Sequence, residues 1–303
     1  MKSEHKSQIA ALITVFLWAS AFPAVRYLLD YYSPESVMVL RFLVASATII
    51  VIIIGRKLRL PERRDLPLFA FAGFLGIFLY MWLFNVGVST VPSGVSAFLI
   101  ASSPVFAALF SIVFLKERVG PVAWTGIIVS FFGLIAVTAS QMSGFEPNIG
   151  VVLLVGASIA TSLYTIIQRQ LMKKYTALEA GAYCMLFGTL FMLIFLPNLI
   201  KEMPGVPLEA NLLAIYLGVF PAAIAYLAWS YALSKTSSTA RVTVFLYLVP
   251  FIATLLAFLW LGEAIALLAF AGGVIIIIGM IIAGLQKKED VPPAEELAAE
   301  NTD

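Results

Sequence analysis

Few residues in this sequence could catalyse a reaction or hold a metal ion. His5 is the only histidine and Cys184 the only cysteine, so we expect no Cys/His metal site, and no disulfide can form within the chain. The sequence contains no H-E-x-x-H or G-x-S-x-G motif and no pair of aspartates within an apolar run. This pattern argues against an enzyme, and we expect neither a cofactor nor a metal.

The polar residues inside the apolar runs are mainly aromatic rings, hydroxyls and amides. Such groups need partners, so they should face protein or water and not a hydrocarbon phase. A pocket of this composition, without an acid, suits a neutral or zwitterionic small molecule with an apolar side chain. The alternative is hydrogen bonding between helices. The candidate binding residues are Trp18, Tyr80, Asn85, Ser102, Tyr164, Tyr226 and Ser230.

Arg41 is a further candidate because it lies deep within an apolar run. It follows Glu35 by six residues, which is roughly 9 Å along a helix. Its paired donors could hold a substrate carboxylate. Alternatively, it reaches the surface or has a structural role. The residues alone leave both alternatives open, whereas Arg26, nearer the end of its run, is expected to reach the surface.

The elements that must position these residues are apolar helices. The 303-residue chain is 61% hydrophobic and 12% charged, about half the charged fraction of a soluble domain. A membrane helix needs about 20 apolar residues, and polar or proline-containing stretches divide the chain into ten runs. The sequence therefore predicts an all-α membrane protein with transmembrane helices near residues 8–29, 35–55, 66–89, 93–115, 121–140, 149–168, 177–197, 210–233, 240–261 and 264–285.

The basic residues predict the orientation of these helices. With the N-terminus inside, every Lys and Arg except Arg26, Arg41 and Lys201 falls in a cytoplasmic segment. Ten helices then place both termini in the cytoplasm of a protein in the inner (plasma) membrane. The expected partners are the lipid bilayer and a small-molecule substrate. The net charge of +2 indicates no nucleic-acid partner, and a homodimer is left open.

Four residues of the first half recur 146 positions later, which indicates an internal repeat. The predicted units are a cytoplasmic tail (1–7), a five-helix repeat (8–145), a second repeat (146–285) and a disordered cytoplasmic tail (286–303). Because five is odd, the second repeat must lie upside down, and inverted repeats in transporters enclose a central site. The alternative is a chance alignment of glycine-rich helices. The matched pairs are Pro104 and Pro250, Glu117 and Glu263, Gly126 and Gly272, and Gly133 and Gly279.

The repeated residues have different expected roles. Glu117 and Glu263 lie at helix ends, where helix N-terminal amides stabilise a carboxylate; a transport role is the alternative. Pro104 and Pro250 each remove a hydrogen bond in mid-helix and are predicted to be paired hinges lining the cavity, or otherwise simple kinks. The glycines should allow close helix packing. We expect no buried acid that couples transport to protons.

These motifs resemble a known family. Residues 18–22 (WASAF), Arg41-Phe42 and the duplicated Pro, Glu, Gly, Gly pattern are similar to the EamA-type branch of the drug/metabolite transporter superfamily. The resemblance covers about residues 8–285. It implies ten helices around a central cavity and export of small metabolites, and within the branch the chain is similar to YddG-type amino-acid exporters.

The expected function is therefore an alternating-access exporter of small metabolites. Amino acids with aromatic or other neutral side chains are the leading substrates. Another metabolite class or drugs, carried by sister groups of the same superfamily, form the first alternative. A membrane-embedded enzyme and a passive pore are weaker alternatives, since neither catalytic motifs nor a charged ring or filter motif is visible.

Overall fold

The structure is a computed structural model, and it describes residues 2–56, 58–115, 120–140, 148–235 and 244–284. Within these ranges all regular elements are helical. Two π-helical segments, Phe74–Leu79 and Gly218–Ile224, join α3 to α4 and α11 to α12. The α-helices are α1 (Lys2–Leu28), α2 (Pro34–Arg56), α3 (Leu66–Gly73), α4 (Tyr80–Thr90), α5 (Ser93–Ile100), α6 (Ser103–Leu115), α7 (Pro121–Ala139), α8 (Ile149–Leu171), α9 (Ala177–Met192), α10 (Leu196–Glu202), α11 (Leu208–Leu217), α12 (Ala225–Lys235), α13 (Val249–Leu261) and α14 (Leu267–Gly284).

Apolar helical stretches lie where the sequence predicts transmembrane helices. Four shorter stretches in the described ranges are Ser93–Ala107, Trp124–Ala139, Phe245–Leu261 and Leu267–Ala283. Six others are long and apolar enough to cross a bilayer. They are His5–Leu28, Pro34–Arg56, Arg63–Thr90, Ile149–Gln168, Ala177–Glu202 and Leu208–Trp229.

The first predicted tail is helical in the structure, whereas the second lies outside the described residues. Residues 2–7 were assigned to a tail, but they form the first turns of α1. The reason is a contact with α12, because the buried hydroxyl of Ser7 donates to the carbonyl of Ala232 (2.7 Å). The predicted tail at 286–303 lies outside the described residues.

The outer surface of the helix bundle is apolar. Val51, Ile54, Leu208 and Leu267 are 70–83% exposed. Exposure of such side chains to water is unfavourable, because each Å² of apolar surface left in water costs about 25 cal/mol relative to burial. A surface of this kind is stable in contact with lipid chains, which agrees with the composition.

The fourth apolar stretch is interrupted between α5 and α6. Pro104 is the second residue of α6, so it stands in the first helical turn and not in mid-helix as predicted. A proline cannot donate to the carbonyl four residues earlier, which here belongs to Ile100. The hydroxyl of Ser103 donates to that carbonyl and thereby satisfies the acceptor that the proline leaves free.

Helix α8 packs across this interruption and stabilises it. The hydroxyl of Ser158 donates to the carbonyl of Leu99 (2.9 Å), and the hydroxyl of Ser162 donates to the carbonyl of Ser103 (2.6 Å). Hydroxyls from a neighbouring helix commonly satisfy the backbone at a broken membrane helix. The two halves of the chain are therefore joined by hydrogen bonds at this interruption.

Pro250 has the same position in the second half. Helices α6 and α13 each contain 13 residues, and in both the proline is the second residue. A 3₁₀ segment, Val244–Leu248, leads into α13. Proline is favoured in a first turn, where its missing N–H would have no helical partner. Both prolines thus mark matched helix starts and not the mid-helix positions that the sequence predicted.

Helices α7 and α14 pack against each other through the repeated glycines. A β-carbon on Gly133 would lie 2.6 Å from the carbonyl oxygen of Gly272, and one on Gly126 would collide with the carbonyl oxygen of Gly279. Since the earlier glycine of α7 meets the later glycine of α14, the two helices run antiparallel. Small residues allow this close approach of two backbones.

Replacing Gly126 with alanine is expected to destabilise the protein. The added methyl group must displace backbone atoms of α14, and overpacking of this kind typically costs about 1–3 kcal/mol. The measurement is the apparent melting temperature of purified protein in detergent. Gly181→Ala is the matched control, because a β-carbon at Gly181 meets nothing within 4 Å. Equal melting temperatures for the two variants would contradict the packing described.

Candidate functional site

Two π-helical segments occupy corresponding places in the two halves. Phe74–Leu79 ends directly before Tyr80, and Gly218–Ile224 ends two residues before Tyr226. The two tyrosines are separated by 146 positions, the spacing of the internal repeat. A π-helical segment disturbs the regular backbone hydrogen bonding of a helix, and such segments are frequent at functional sites.

Arg41 extends from α2 towards both tyrosines. Its side chain is buried, with 5% of the residue exposed, and the guanidinium lies near the side chains of Tyr80 and Tyr226. Its Nη1 lies 3.9 Å from the sulfur of Met81, and its Nε has no hydrogen-bond partner among the described residues. Arg41 therefore does not reach the surface, which leaves substrate binding and a structural role as the two possibilities.

The backbone of α2 lies close to the second π-helical segment at Arg41 itself. A β-carbon on Gly218 would lie 2.6 Å from the carbonyl oxygen of Arg41. Only glycine permits this separation, since any side chain would meet backbone atoms. The close approach fixes the base of the arginine side chain against the interruption in the second half.

Trp18 joins the first helix to the same interruption. Its indole Nε1 donates to the carbonyl of Pro221 (3.1 Å), which lies inside the π-helical segment. The ring centroid of Trp18 is 5.5 Å from that of Tyr226 in an edge-to-face arrangement and 5.6 Å from that of Trp229. Aromatic pairs at these distances are favourable.

Tyr164 lies on α8, 146 residues after Trp18. It is buried, and its ring lies against Gly76 in the first π-helical segment, where a β-carbon would be 2.6 Å from the β-carbon of Tyr164. The amide of Gln168 donates to the Tyr164 hydroxyl (2.8 Å), and this hydroxyl also hydrogen-bonds with the thiol of Cys184.

These five side chains form one group, called here the Arg41 site: Arg41, Trp18, Tyr80, Tyr164 and Tyr226. Tyr226 lies near Tyr164, Tyr80 and Arg41. The members come from α1, α2, α4, α8 and α12, so both halves contribute. The site combines one buried cation with aromatic rings, and no ion pair of Arg41 is present in the described part of the chain.

Two other predicted binding residues, Asn85 and Ser102, do not join this group. Asn85 is buried, and its amide donates to the carbonyl of Pro34 (3.0 Å), which ties α4 to the start of α2. Ser102 donates to the carbonyl of Leu99 (2.6 Å) within the same interrupted stretch. The side chain of Ser230 lies outside the described residues.

Glu263 is held at a helix N-terminus, but at a different helix from the one predicted. Its carboxylate accepts the backbone N–H of Ser93 (2.7 Å), the first residue of α5, and it does not cap the helix that follows it. It also lies 3.5 Å from Nε of Arg26, whose guanidinium donates to the carbonyl of Val88 (2.9 Å). Arg26 thus contacts protein groups of the first half. Glu117 lies outside the described residues.

Ion pairs join the segment between α2 and α3 to the segment between α8 and α9. This loop ion-pair cluster consists of Glu62, Asp65 and Lys174. The Lys174 ammonium lies 2.6 Å from Asp65 and 2.5 Å from Glu62. Hydrogen bonds from Lys174 and then from the Tyr175 hydroxyl lower the pKa of the Asp65 carboxyl group. The hydrogen bond from Lys174 likewise lowers the pKa of Glu62.

Replacing Lys174 with methionine is expected to lower the melting temperature at neutral pH. A carboxyl group with a lowered folded-state pKa stabilises the fold above its unfolded value, about 3.9 for Asp, and loses this effect as the pH falls through the folded value. The difference from the parent protein should therefore shrink as the pH approaches 3. The control is Lys173→Met at the exposed neighbouring position. A pH-independent difference would contradict the assignment.

Sequence reasoning missed the two π-helical segments and the side chains that they bring to the site. Met81 and Cys184 were not expected near the candidate residues, although both contact members of the Arg41 site. The available signal was small residues and a proline in two apolar runs, namely Gly76 in one and Gly218 with Pro221 in the other. Such residues are common in membrane helices, so the signal is weak without the structure.

These helices and their apolar exterior define a multi-pass helical membrane protein. A model of the EamA-like transporter family matches residues 5–139 and, separately, residues 148–285. The chain belongs to this family, and the protein is a transporter.

Similar proteins cover almost the whole chain. An uncharacterized transporter of Bacillus subtilis (strain 168), YdfC, is 33% identical over 94% of this chain and 93% of its own length. A protein of Streptantibioticus cattleyicolor named probable terminal-alkyne amino-acid exporter is 37% identical over 91% of this chain and 93% of its own. A crystal structure with a TM-score of 0.66 and 19% identity covers 92% of this chain and 98% of that chain, which shows a shared fold.

Proposed function

We propose that this transporter is an alternating-access carrier that exports amino acids across the inner (plasma) membrane. All ten apolar stretches cross the bilayer, and both termini lie in the cytoplasm. The substrate binds at the Arg41 site between the two halves. The observation that carries the proposal is the pair of π-helical segments in corresponding places of the two halves, since paired helix interruptions point to the binding site of a carrier.

The antiparallel packing of α7 and α14 supports an inverted repeat. Gly126 meets Gly279, and Gly133 meets Gly272. Because Gly126 matches Gly272 and Gly133 matches Gly279 in the repeat, the two contacts are equivalent to each other. Helices in equivalent places of two halves run antiparallel when the halves have opposite orientations. The separate family matches to residues 5–139 and 148–285 also support a duplication.

The half-buried rings support a binding cavity at the Arg41 site. Trp18, Tyr80 and Tyr226 retain accessible surface, although each interacts with another member of the site. We propose that the accessible part of these residues borders the binding cavity. Aromatic walls with a few polar groups are typical of small-molecule sites.

The substrate proposal rests on chemistry and on one relative. Aromatic rings and a buried cation suit a molecule with an apolar side chain and a carboxylate. The Streptantibioticus relative carries an amino-acid exporter's name, and we extend that substrate class to this chain. Other metabolites or drugs remain the alternative. No described carboxylate contacts Arg41. The proposed carrier is not coupled to protons through a buried acid.

The experiment is efflux from proteoliposomes. Purified protein is reconstituted in liposomes loaded with a mixed metabolite pool that contains the proteinogenic amino acids and L-propargylglycine, and the released compounds are identified by mass spectrometry. Amino acids should leave selectively, with saturation and with counterflow of labelled substrate. Release of non-amino-acid metabolites alone would overturn the substrate class. Unsaturable release with a current in planar bilayers would indicate a pore.

A matched measurement tests proton coupling in the same vesicles. A pH-sensitive dye in the lumen should report no proton movement in fixed proportion to amino-acid efflux. Stoichiometric acidification or alkalinisation would contradict the expected absence of a coupling acid. Protein-free liposomes with the same pool provide the control for passive leakage.

A further inference from the structure

Resting on the proposed carrier function, we propose that Arg41 binds the carboxylate of the substrate. The substrate class is then small monocarboxylates, and amino acids are recognised by the carboxylate and not by their amino group alone. In this arrangement the ammonium group of an amino acid lies against the aromatic rings of the site. The proposal selects one of the two roles that the sequence left open for Arg41.

The first step in the argument is the unpaired charge of Arg41. A buried cation is costly unless a counter-charge and hydrogen bonds compensate it. The guanidinium has five N–H donors and no acceptor. Among the described residues, its hydrogen-bond contact is with a thioether sulfur, a weak acceptor, at 3.9 Å, and the Phe42 ring centroid lies 5.5 Å from it. Its Nε has no partner among them. An anion bound here would satisfy groups that the protein leaves unsatisfied.

The second step is the contrast with the other arginines near helix ends and loops. Arg26 has Glu263 at 3.5 Å and backbone carbonyls as acceptors, and Arg59 has Glu62 at 2.6 Å. Arg41 is more deeply buried than either, and the described residues place no carboxylate beside it. A structural arginine at this depth would need an acceptor of its own, as these two have.

The third step is geometry, because Arg41 lies where the two halves meet. It interacts with Tyr80 of the first half and Tyr226 of the second, and both tyrosines follow π-helical segments. A guanidinium fork matches the two oxygens of a carboxylate. An anion at this position would contact groups on both sides of the cavity and could stay bound while the halves exchange conformations.

The ammonium group of a bound amino acid has a suitable environment near Arg41. The rings of Trp18, Tyr226 and Trp229 lie together, with centroid separations of 5.5 and 5.6 Å. An ammonium group is attracted to the face of such rings. A free amine without a carboxylate would place a second positive charge beside Arg41 and should be rejected.

The test compares L-phenylalanine with L-phenylalaninamide and phenethylamine as inhibitors of labelled L-phenylalanine counterflow. The chloride concentration is kept low and equal in all assays, and no carboxylate buffer is used, so that no buffer anion competes for the site. Hydrogen bonds to charged groups contribute about 1.5–3 kcal/mol, so removal of the carboxylate should weaken inhibition by about tenfold to a hundredfold. In the parent protein, both compounds without the carboxylate should inhibit much more weakly than phenylalanine.

The variant series is Arg41→Gln, Arg41→Lys and the control Arg63→Gln at an exposed loop position. Arg41→Gln should lose counterflow and the preference for the carboxylate, and Arg41→Lys should retain part of both because a lysine keeps the charge without the fork. Arg63→Gln should behave like the parent. If Arg41→Gln does not elute as a folded protein, the inhibitor series on the parent and on Arg41→Lys decides.

Two outcomes separate the failure of this inference from the failure of the proposed function. If the parent counterflows amino acids but accepts the carboxamide equally well, and Arg41→Gln keeps normal affinity, the carboxylate role of Arg41 is overturned and the carrier function stands. If the parent shows no counterflow of any amino acid, the proposed substrate class is itself wrong, and the carboxylate inference falls with it.

Discussion

Replacing Trp18 with alanine is expected to slow L-phenylalanine counterflow by about tenfold and to reduce the preference for large side chains. The substitution removes the edge-to-face contact with Tyr226 and the hydrogen bond to the carbonyl of Pro221. A tenfold change corresponds to about 1.4 kcal/mol, which is within the range for one aromatic contact and its hydrogen bond. Rates for L-phenylalanine and L-alanine in proteoliposomes provide the measurement, and Tyr80→Ala should have a similar effect.

Trp124→Ala is the matched control for this prediction. Trp124 lies on α7, is 42% exposed, and is not a member of the Arg41 site. Its replacement should leave both rates unchanged. If Trp18→Ala and Tyr80→Ala both transport like the parent, the binding site has been placed in the wrong part of the molecule.

Replacing Gly76 with alanine is expected to impair transport and lower the melting temperature together. A β-carbon at this position would overlap the ring of Tyr164, and its 2.6 Å separation from the Tyr164 β-carbon prevents relief by ring rotation alone. Helix α8 must move away from the first π-helical segment. We expect a loss of about 1–3 kcal/mol in stability and displacement of Tyr164 from the Arg41 site.

Gly156→Ala is the control on α8, at a position that faces α4. A β-carbon on Gly156 meets only the end of the Leu83 side chain, at 3.5 Å, which is an ordinary contact. This variant should be at least as stable as the parent, because alanine favours the helix. Comparable losses in both variants would show that close packing at Gly76 has no special role.

Much of the helix arrangement could be predicted from the sequence. Apolar runs separated by proline and charged residues predict helix positions well, and α2, observed at Pro34–Arg56, differs by one residue at each end from the predicted 35–55. Helix α1 begins at Lys2, before the predicted span at 8–29, and the hydroxyl of Ser7 in this extension donates to the carbonyl of Ala232. Local composition does not reveal contacts between distant segments.

The Arg41 site was only partly predictable. Residue type alone singled out Trp18, Tyr80 and Arg41, since such side chains are unusual inside apolar runs. The π-helical segments could not be predicted, because they differ from α-helix by a local change in hydrogen bonding. The partner of Glu263 was also missed. Its carboxylate caps α5, 170 residues earlier in the chain, and helix-end rules assign a carboxylate only to its own neighbouring helix.

The central claim is that the two halves have opposite orientations around a shared site. Cysteine labelling tests it most directly, because the single native cysteine, Cys184, is buried. Arg63→Cys lies in the connection before α3, and Met203→Cys lies in the connection before α11, the corresponding place in the second half. Both positions are exposed. In intact cells an impermeant maleimide should label Met203→Cys and should label Arg63→Cys only after permeabilisation. Labelling of both from the same side would contradict the inverted repeat and the carrier mechanism built on it.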